Sequence, residues 1–156
     1  VVHRDERDTN PWGPRIDATP LLREPLEILL PQHHRLADRK RIPLHELADE
    51  PWIGVEGGLM VDDVLRSLAT IAGVRPRIVQ RVNVFRVMEE LVAAGIGIAL
   101  LPRYVHTTRA LVRKPLSGVH IARRIEAVTR AGAAARPAVA QVIDILKAVA
   151  RDVVDQ

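Results

Sequence analysis

The chain has 156 residues, 47% of them hydrophobic and 27% charged, the balance of a globular protein of one domain or two small lobes, so a disordered chain is excluded. It holds no cysteine, which within these residues rules out disulfides, thiolate catalysis and cysteine-ligated zinc or iron–sulfur sites. The net charge of +4 has its excess in residues 103–156, with 10 Lys and Arg against 4 acids, while residues 42–102 are acidic at 5 against 8. So diffuse an excess, without interleaved aromatics, reads as a solvated Arg-rich surface rather than a nucleic-acid footprint.

Residues 5–20 (DERDTNPWGPRIDATP) combine charges, turn formers and three prolines, and predict an irregular loop. Residues 21–31 (LLREPLEILLP) carry a β-capable apolar run that ends at a proline. A polar, basic stretch over 32–43 follows, and 44–48 suffices for one helical turn. Residues 52–55 (WIGV) predict a short strand between Pro51 and the Gly57–Gly58 pair. Val61, Val64, Leu65, Leu68, Ala69 and Ala72 recur at helical spacing, with Gly73 as the stop. Residues 77–82 (RIVQRV) alternate as a strand. Asn83 is expected to cap a second helix with Val84, Val87, Met88, Leu91 and Val92 on one face, ended by Gly95. Residues 97–101 (GIALL) form a fully apolar strand before Pro102. Strand, helix, strand, helix, strand with short connections make a βαβαβ unit over 52–101, which implies a parallel sheet with helices on its faces. Beyond it, 111–116 and 119–129 predict strands and 131–136 a small, flexible segment. A last helix from Pro137 to about 152 carries the stripe Val139, Val142, Ile143, Leu146 and Val149.

In open parallel sheets, ligands bind beyond the carboxyl ends of the strands, where helix N-termini present unpaired amides. Two loops qualify: Glu56, Gly57, Gly58, Leu59 and Met60 after the first strand of the unit, and Val82, Asn83, Val84 and Phe85 after the second. Gly57 and Gly58 allow close backbone approach, and the helix dipole behind them favours an anion, so a small carboxylate is the expected ligand. The competing reading is that the glycines only shape a turn and that Phe85 belongs to the core. No P-loop, dinucleotide fingerprint or nucleophile elbow occurs, and the six histidines lack metal-ligand spacing. Asp62–Asp63 and Glu89–Glu90 are neighbours on helices and diverge, so neither makes an acid/base site; the first pair suits a helix's opening turn. No catalytic residue, metal or cofactor is expected. The longest uncharged run, 91–102, is far short of the roughly 20 residues a membrane helix needs. No apolar signal region follows the N-terminus, so a cytoplasmic location is expected. The chain opens on Val1 rather than Met, as expected of a piece of something longer.

The segments EPLEILLPQHHRLADRKRIPLHELADEPWIGV, RIVQRV, MEELVAAGIGIALLPR and RRIEAVTRAGAAARPAVAQVIDILKAVA, in this order over about residues 21–150, resemble the effector-binding domain of bacterial LysR-type transcriptional regulators. The resemblance implies an α/β fold of the type 2 periplasmic-binding-protein kind: two Rossmann-like lobes joined by crossover strands, with the first lobe incomplete. It implies that residues 1–23 are a remnant of lobe one, 24–124 are lobe two, and 125–156 return to lobe one with the C-terminal helix. Members bind a small inducer in the cleft between lobes. The loops that match it are Gly57, Gly58, Leu59 and Met60, and Asn83, Val84 and Phe85, with Arg4 as an anion partner or, equally, a surface ion-pair member.

The same resemblance implies a homodimer in which the helix over 61–72 and the strand over 77–82 take part. DNA would be contacted only through an N-terminal helix-turn-helix that these residues lack. About the first third of the effector domain has no counterpart either, so the final helix is expected to lack part of its cover, and the isolated chain to self-associate, to be supplemented or to be marginally stable. The rival implied by the same architecture is a transport solute-binding protein, which would carry a signal peptide upstream. A small enzyme on this scaffold is disfavoured by the missing motifs.

Overall fold

The structure is a computed structural model that describes residues 2–5, 12–57, 60–73, 75–105 and 111–155. The chain divides into two compact units, Val1–Glu24 with Ala122–Gln156, and Pro25–Ile121.

The second unit is built on five strands. Strand β2 (Ile16–Pro31) begins in the first unit and enters the second at Pro25. Its last residues, Leu26, Ile28, Leu29 and Leu30, are buried, as a strand covered on both faces requires. On one side of β2 lies β6 (Ala99–Pro102) and on the other β7 (Leu111–Lys114), both antiparallel to it. Beyond β6 comes β4 (Pro51–Gly54), joined through a parallel bridge between Trp52 and Ile98. Ile53 N–H donates to Ile98 C=O and Ile98 N–H to Pro51 C=O, each at 2.8 Å. The outer strand is β5 (Arg77–Arg81), parallel to β4, so the spatial order is β5-β4-β6-β2-β7. A separate two-stranded ribbon pairs β3 (Ile42–Pro43) with β8 (Leu116–Ser117), and a single helical turn occupies Leu44–Leu47.

Successive strand side chains face opposite ways, so the sheet has two apolar faces, each closed by one helix. Helix α1 (Met60–Ala72) buries Val64, Leu65 and Leu68 against Trp52, Ile98, Leu100, Leu26, Ile28 and Leu30. Helix α2 (Phe85–Ala93) buries Met88 and Val92 against Ile53, Val55, Ala99, Leu101 and Leu29. The chain therefore leaves β4 over one face to reach β5, and leaves β5 over the other face to reach β6 on β4's opposite flank. This is the βαβαβ unit read from the sequence. Gly73 and Gly95 follow the two helices at φ of 68° and 73°, the left-handed conformation that ends a helix cheaply only in glycine.

The first unit pairs β1 (Val2–Asp5) antiparallel with β9 (Ala122–Arg130), which is also bonded to β2. Within it the buried Glu24 carboxylate accepts a 2.7 Å bond from Arg123 Nε, and Trp12 Nε1 donates to buried Glu126. A 3-10 turn (Ala133–Ala135) leads into helix α3 (Pro137–Val154), with Pro137 at its start, where its missing N–H costs nothing.

Several expectations are corrected. Residues 16–20 are strand, not loop: this half of β2 is largely exposed, so Asp17 and Thr19 cost nothing there. Residues 131–136 hold an ordered turn anchored by Gly132 N–H to the Asp17 carboxylate at 2.8 Å. Asn83 does not cap α2; Val84 precedes the helix without a side-chain cap. Val84 and Val87 are 58% and 44% exposed, because the buried face runs through Phe85, Met88, Glu89 and Val92 instead. On α3 Ile143 and Ala150 are buried, while Val142 and Val149 lie open with Ile145 beside them, which agrees with the expectation that this helix lacks part of its cover.

Candidate functional site

Strands β4 and β5 are parallel, so their carboxyl ends lie at one edge of the sheet, and α1 and α2 begin there. Because β5 and β6 flank β4 on opposite sides and are reached over opposite faces, β4 is the strand at which the winding direction switches. Crevices of this kind open beyond the carboxyl end of such a strand.

Two side chains sew the loops together at this edge. Asn83 Oδ1 accepts a 2.9 Å bond from Glu56 N–H, tying the loop after β5 to the loop after β4. Arg81, the last residue of β5, donates through Nη1 to the Val55 carbonyl at the end of β4 and to Asp62 Oδ1 at 2.9 Å. Asp62 lies in the first turn of α1 and is 3% exposed; its Oδ2 accepts a 2.7 Å bond from Arg66 Nε, one helical turn on. Burial opposes ionisation of this carboxyl. The hydrogen bonds from Arg81 and Arg66, with their charges, outweigh it and hold Asp62 below the ordinary carboxylate range.

Gly57 is exposed and sits directly over this cluster. A Cβ there would lie 3.8 Å from Arg66 Nη2 and 3.9 Å from Asp62 Oδ2, ordinary contact distances. Met60 is half-buried and packs on the core beneath α1, while Phe85 is half-buried against the core beneath α2. Phe85 thus combines a core contact with a place at the loop. Val84 is exposed. The structure therefore brings Gly57, Met60, Asn83, Val84 and Phe85 to one edge of the second unit. Gly58 and Leu59 lie outside the described residues. Arg4 belongs to the first unit, where its backbone stands opposite Arg124 on β9.

Sequence reasoning missed Asp62, Arg66 and Arg81. The i,i+4 spacing of Asp62 and Arg66 was the available signal for one pair. The Arg81 contact joins residues nineteen apart in sequence and had no local sign. Asp62 lies in the first turn of α1 as expected, and it is also buried and doubly paired. Among the described residues, no group of three or more His, Asp or Glu could hold a metal ion, and no helix is long and apolar enough to cross a membrane.

Asn83→Ala is expected to cost about 1 kcal/mol, the usual value of one hydrogen bond, and to speed amide exchange at Glu56. Hydrogen-exchange NMR checks this; unchanged protection at Glu56 would show that the two loops hold together without Asn83.

Comparison with known proteins places this geometry in a family. The LysR substrate binding domain model matches residues 7–151. The HTH-type transcriptional regulator TtuA of Agrobacterium vitis is 41% identical over 86 residues, which is 54% of this chain and 28% of TtuA. The regulatory domain of Synechocystis PCC6803 CcmR, in complex with 2-PG, superposes with a TM-score of 0.74 at 21% identity, over 91% of this chain and 70% of that one. The effector-binding domain of QuiR, in complex with shikimate, gives 0.73 at 19% identity, over 93% and 70%. The chain spans only about a third of the length of the curated regulators it matches. Its fold is the periplasmic-binding-protein-like α/β fold of LysR effector-binding domains, and the chain belongs to the LysR substrate-binding-domain family.

Proposed function

We propose that this chain senses a small carboxylate for a LysR-type transcriptional regulator. The effector sits against Gly57, Gly58, Leu59 and Met60 on one side and Asn83, Val84 and Phe85 on the other. The observation that carries the reading is the convergence of these two loops at the switch-point edge of the sheet, bound to each other through Asn83 and Glu56. The compact units support a lobe two over residues 25–121, a few residues shorter than the expected 24–124, with the remainder as lobe one.

The protein works in the cytoplasm as a homo-oligomer and is not an enzyme. DNA is engaged by a helix-turn-helix outside these 156 residues. Ligand occupancy changes DNA engagement by about 1–3 kcal/mol of differential affinity between two conformations. The regulators among its relatives, TtuA included, favour this over a transport protein of the same fold.

The test is a thermal-shift screen of the full-length regulator against carboxylate metabolites, repeated on Gly58→Trp. At a concentration of about 100 Kd a bound effector stabilises by about 2.7 kcal/mol, a rise in Tm of roughly 5–10 °C. In the Gly58→Trp variant the rise is expected to vanish while binding to operator DNA persists. A rise of equal size in the variant would remove the loop from the site. A full-length protein that no carboxylate stabilises would sink the carboxylate reading.

A further inference from the structure

We infer that Arg66 is the anion-recognising residue of this effector site, with buried Asp62 as the positioning residue that holds it at the loop mouth. The inference rests on the effector reading above and goes beyond it in naming the contact.

The cluster contains two guanidinium groups and one buried carboxylate, and the two guanidinium groups are used differently. Arg81 Nη1 is spent inward, on Asp62 and on the Val55 carbonyl. Arg66 engages Asp62 through Nε, a bond that does not use the outer hydrogens of its two terminal nitrogens. Its side chain is 63% exposed, and Nη2 is the side-chain atom nearest to where a Cβ of Gly57 would be. The bare backbone of Gly57 thus opens onto the outer edge of a guanidinium whose inner edge is already fixed.

Asp62 is saturated by its two arginines and cannot compensate both. The other acid acting on Arg66 is Asp63, which is exposed and so screened by water. A guanidinium held through Nε offers its Nη1 and Nη2 hydrogens as a planar fork, the shape that takes a carboxylate in two parallel hydrogen bonds. Pre-fixing the side chain lowers the ordering cost of that contact.

The experiment uses the full-length regulator and three probe acids, shikimate, malonate and benzoate, with the neutral amides malonamide and benzamide. Binding is measured by calorimetry to wild type, Arg66→Gln, Arg66→Lys and Arg77→Gln. Arg77, at the amino end of β5, removes the same charge away from the loops. We expect at least one acid to bind wild type and Arg77→Gln alike. Its affinity falls about tenfold or more in Arg66→Gln and recovers only partly in Arg66→Lys, which keeps the charge but loses the fork. Arg66 is largely exposed on α1, so the variants fold, and circular dichroism verifies this.

An acid bound equally by wild type and Arg66→Gln overturns the inference while leaving the effector reading intact. Amide binding without acid binding overturns it too, and leaves a site for neutral ligands. If no probe binds wild type while another metabolite is sensed through the Gly58 loop, the Arg66 assignment falls and the site stands.

Discussion

Gly97→Ala should lower stability by about 3 kcal/mol, and Gly97→Val should leave little folded protein. A Cβ on Gly97 would lie 2.6 Å from the Pro51 carbonyl oxygen and 3.0 Å from its carbon, with Ile53 Cγ1 at 3.4 Å. The first two atoms are backbone, so no rotamer change relieves the contact. The Pro51 carbonyl is also the acceptor for Ile98 N–H at 2.8 Å, part of the only hydrogen bonding described between β4 and β6. Pushing the two apart would loosen the centre of the five-stranded order and both helix layers on it. Gly95→Ala is the control. Its φ is 73°, yet nothing lies within 4 Å of the added Cβ, so it costs only the left-handed strain of about 1 kcal/mol. Urea unfolding of the three variants separates the cases. Equal midpoints for Gly97→Ala and Gly95→Ala would show that β4 and β6 can part without penalty.

That glycine also marks how far a sequence can be read. The βαβαβ core is legible because each of its segments carries its own period. Residues 64, 65, 68 and 69 repeat as a helix, 97–101 are apolar throughout as a strand buried on both faces must be, and Gly73 and Gly95 punctuate the ends. What escapes is whatever depends on partners far along the chain. The strand over 16–20 is polar because this half of β2 lies largely exposed, and a polar, proline-containing segment has no local pattern that separates it from a loop. Asn83 has the composition of a helix cap, but Glu56 N–H, twenty-seven residues away, takes its oxygen. The positions of the two candidate loops follow from topology alone. The charged cluster that supports them does not, since Arg81 reaches Asp62 only once β4 and β5 are paired.

The same cluster contributes to the response of the protein to acid. Asp62→Ala removes the carboxylate on which Arg81 and Arg66 converge and leaves the buried Val55 carbonyl to hold Arg81 alone. Losing one member of a fully buried pair costs about 3–5 kcal/mol. Here the arginines are 38% and 63% exposed and water takes up part of their charge, so about 2 kcal/mol is expected. The pH dependence has a definite sign. Asp62 ionises at lower pH in the folded protein than in the unfolded chain, where a free Asp titrates near about 3.9. Its stabilisation is therefore fully present above that value and drains away as the pH falls through the lower folded value. Wild type should exceed Asp62→Asn in stability from neutral pH down to about pH 5, and the gap should close below about pH 4. Chemical denaturation of both proteins across this range decides the matter: a gap that is constant with pH would mean that Asp62 contributes its shape and hydrogen bonds but not its charge.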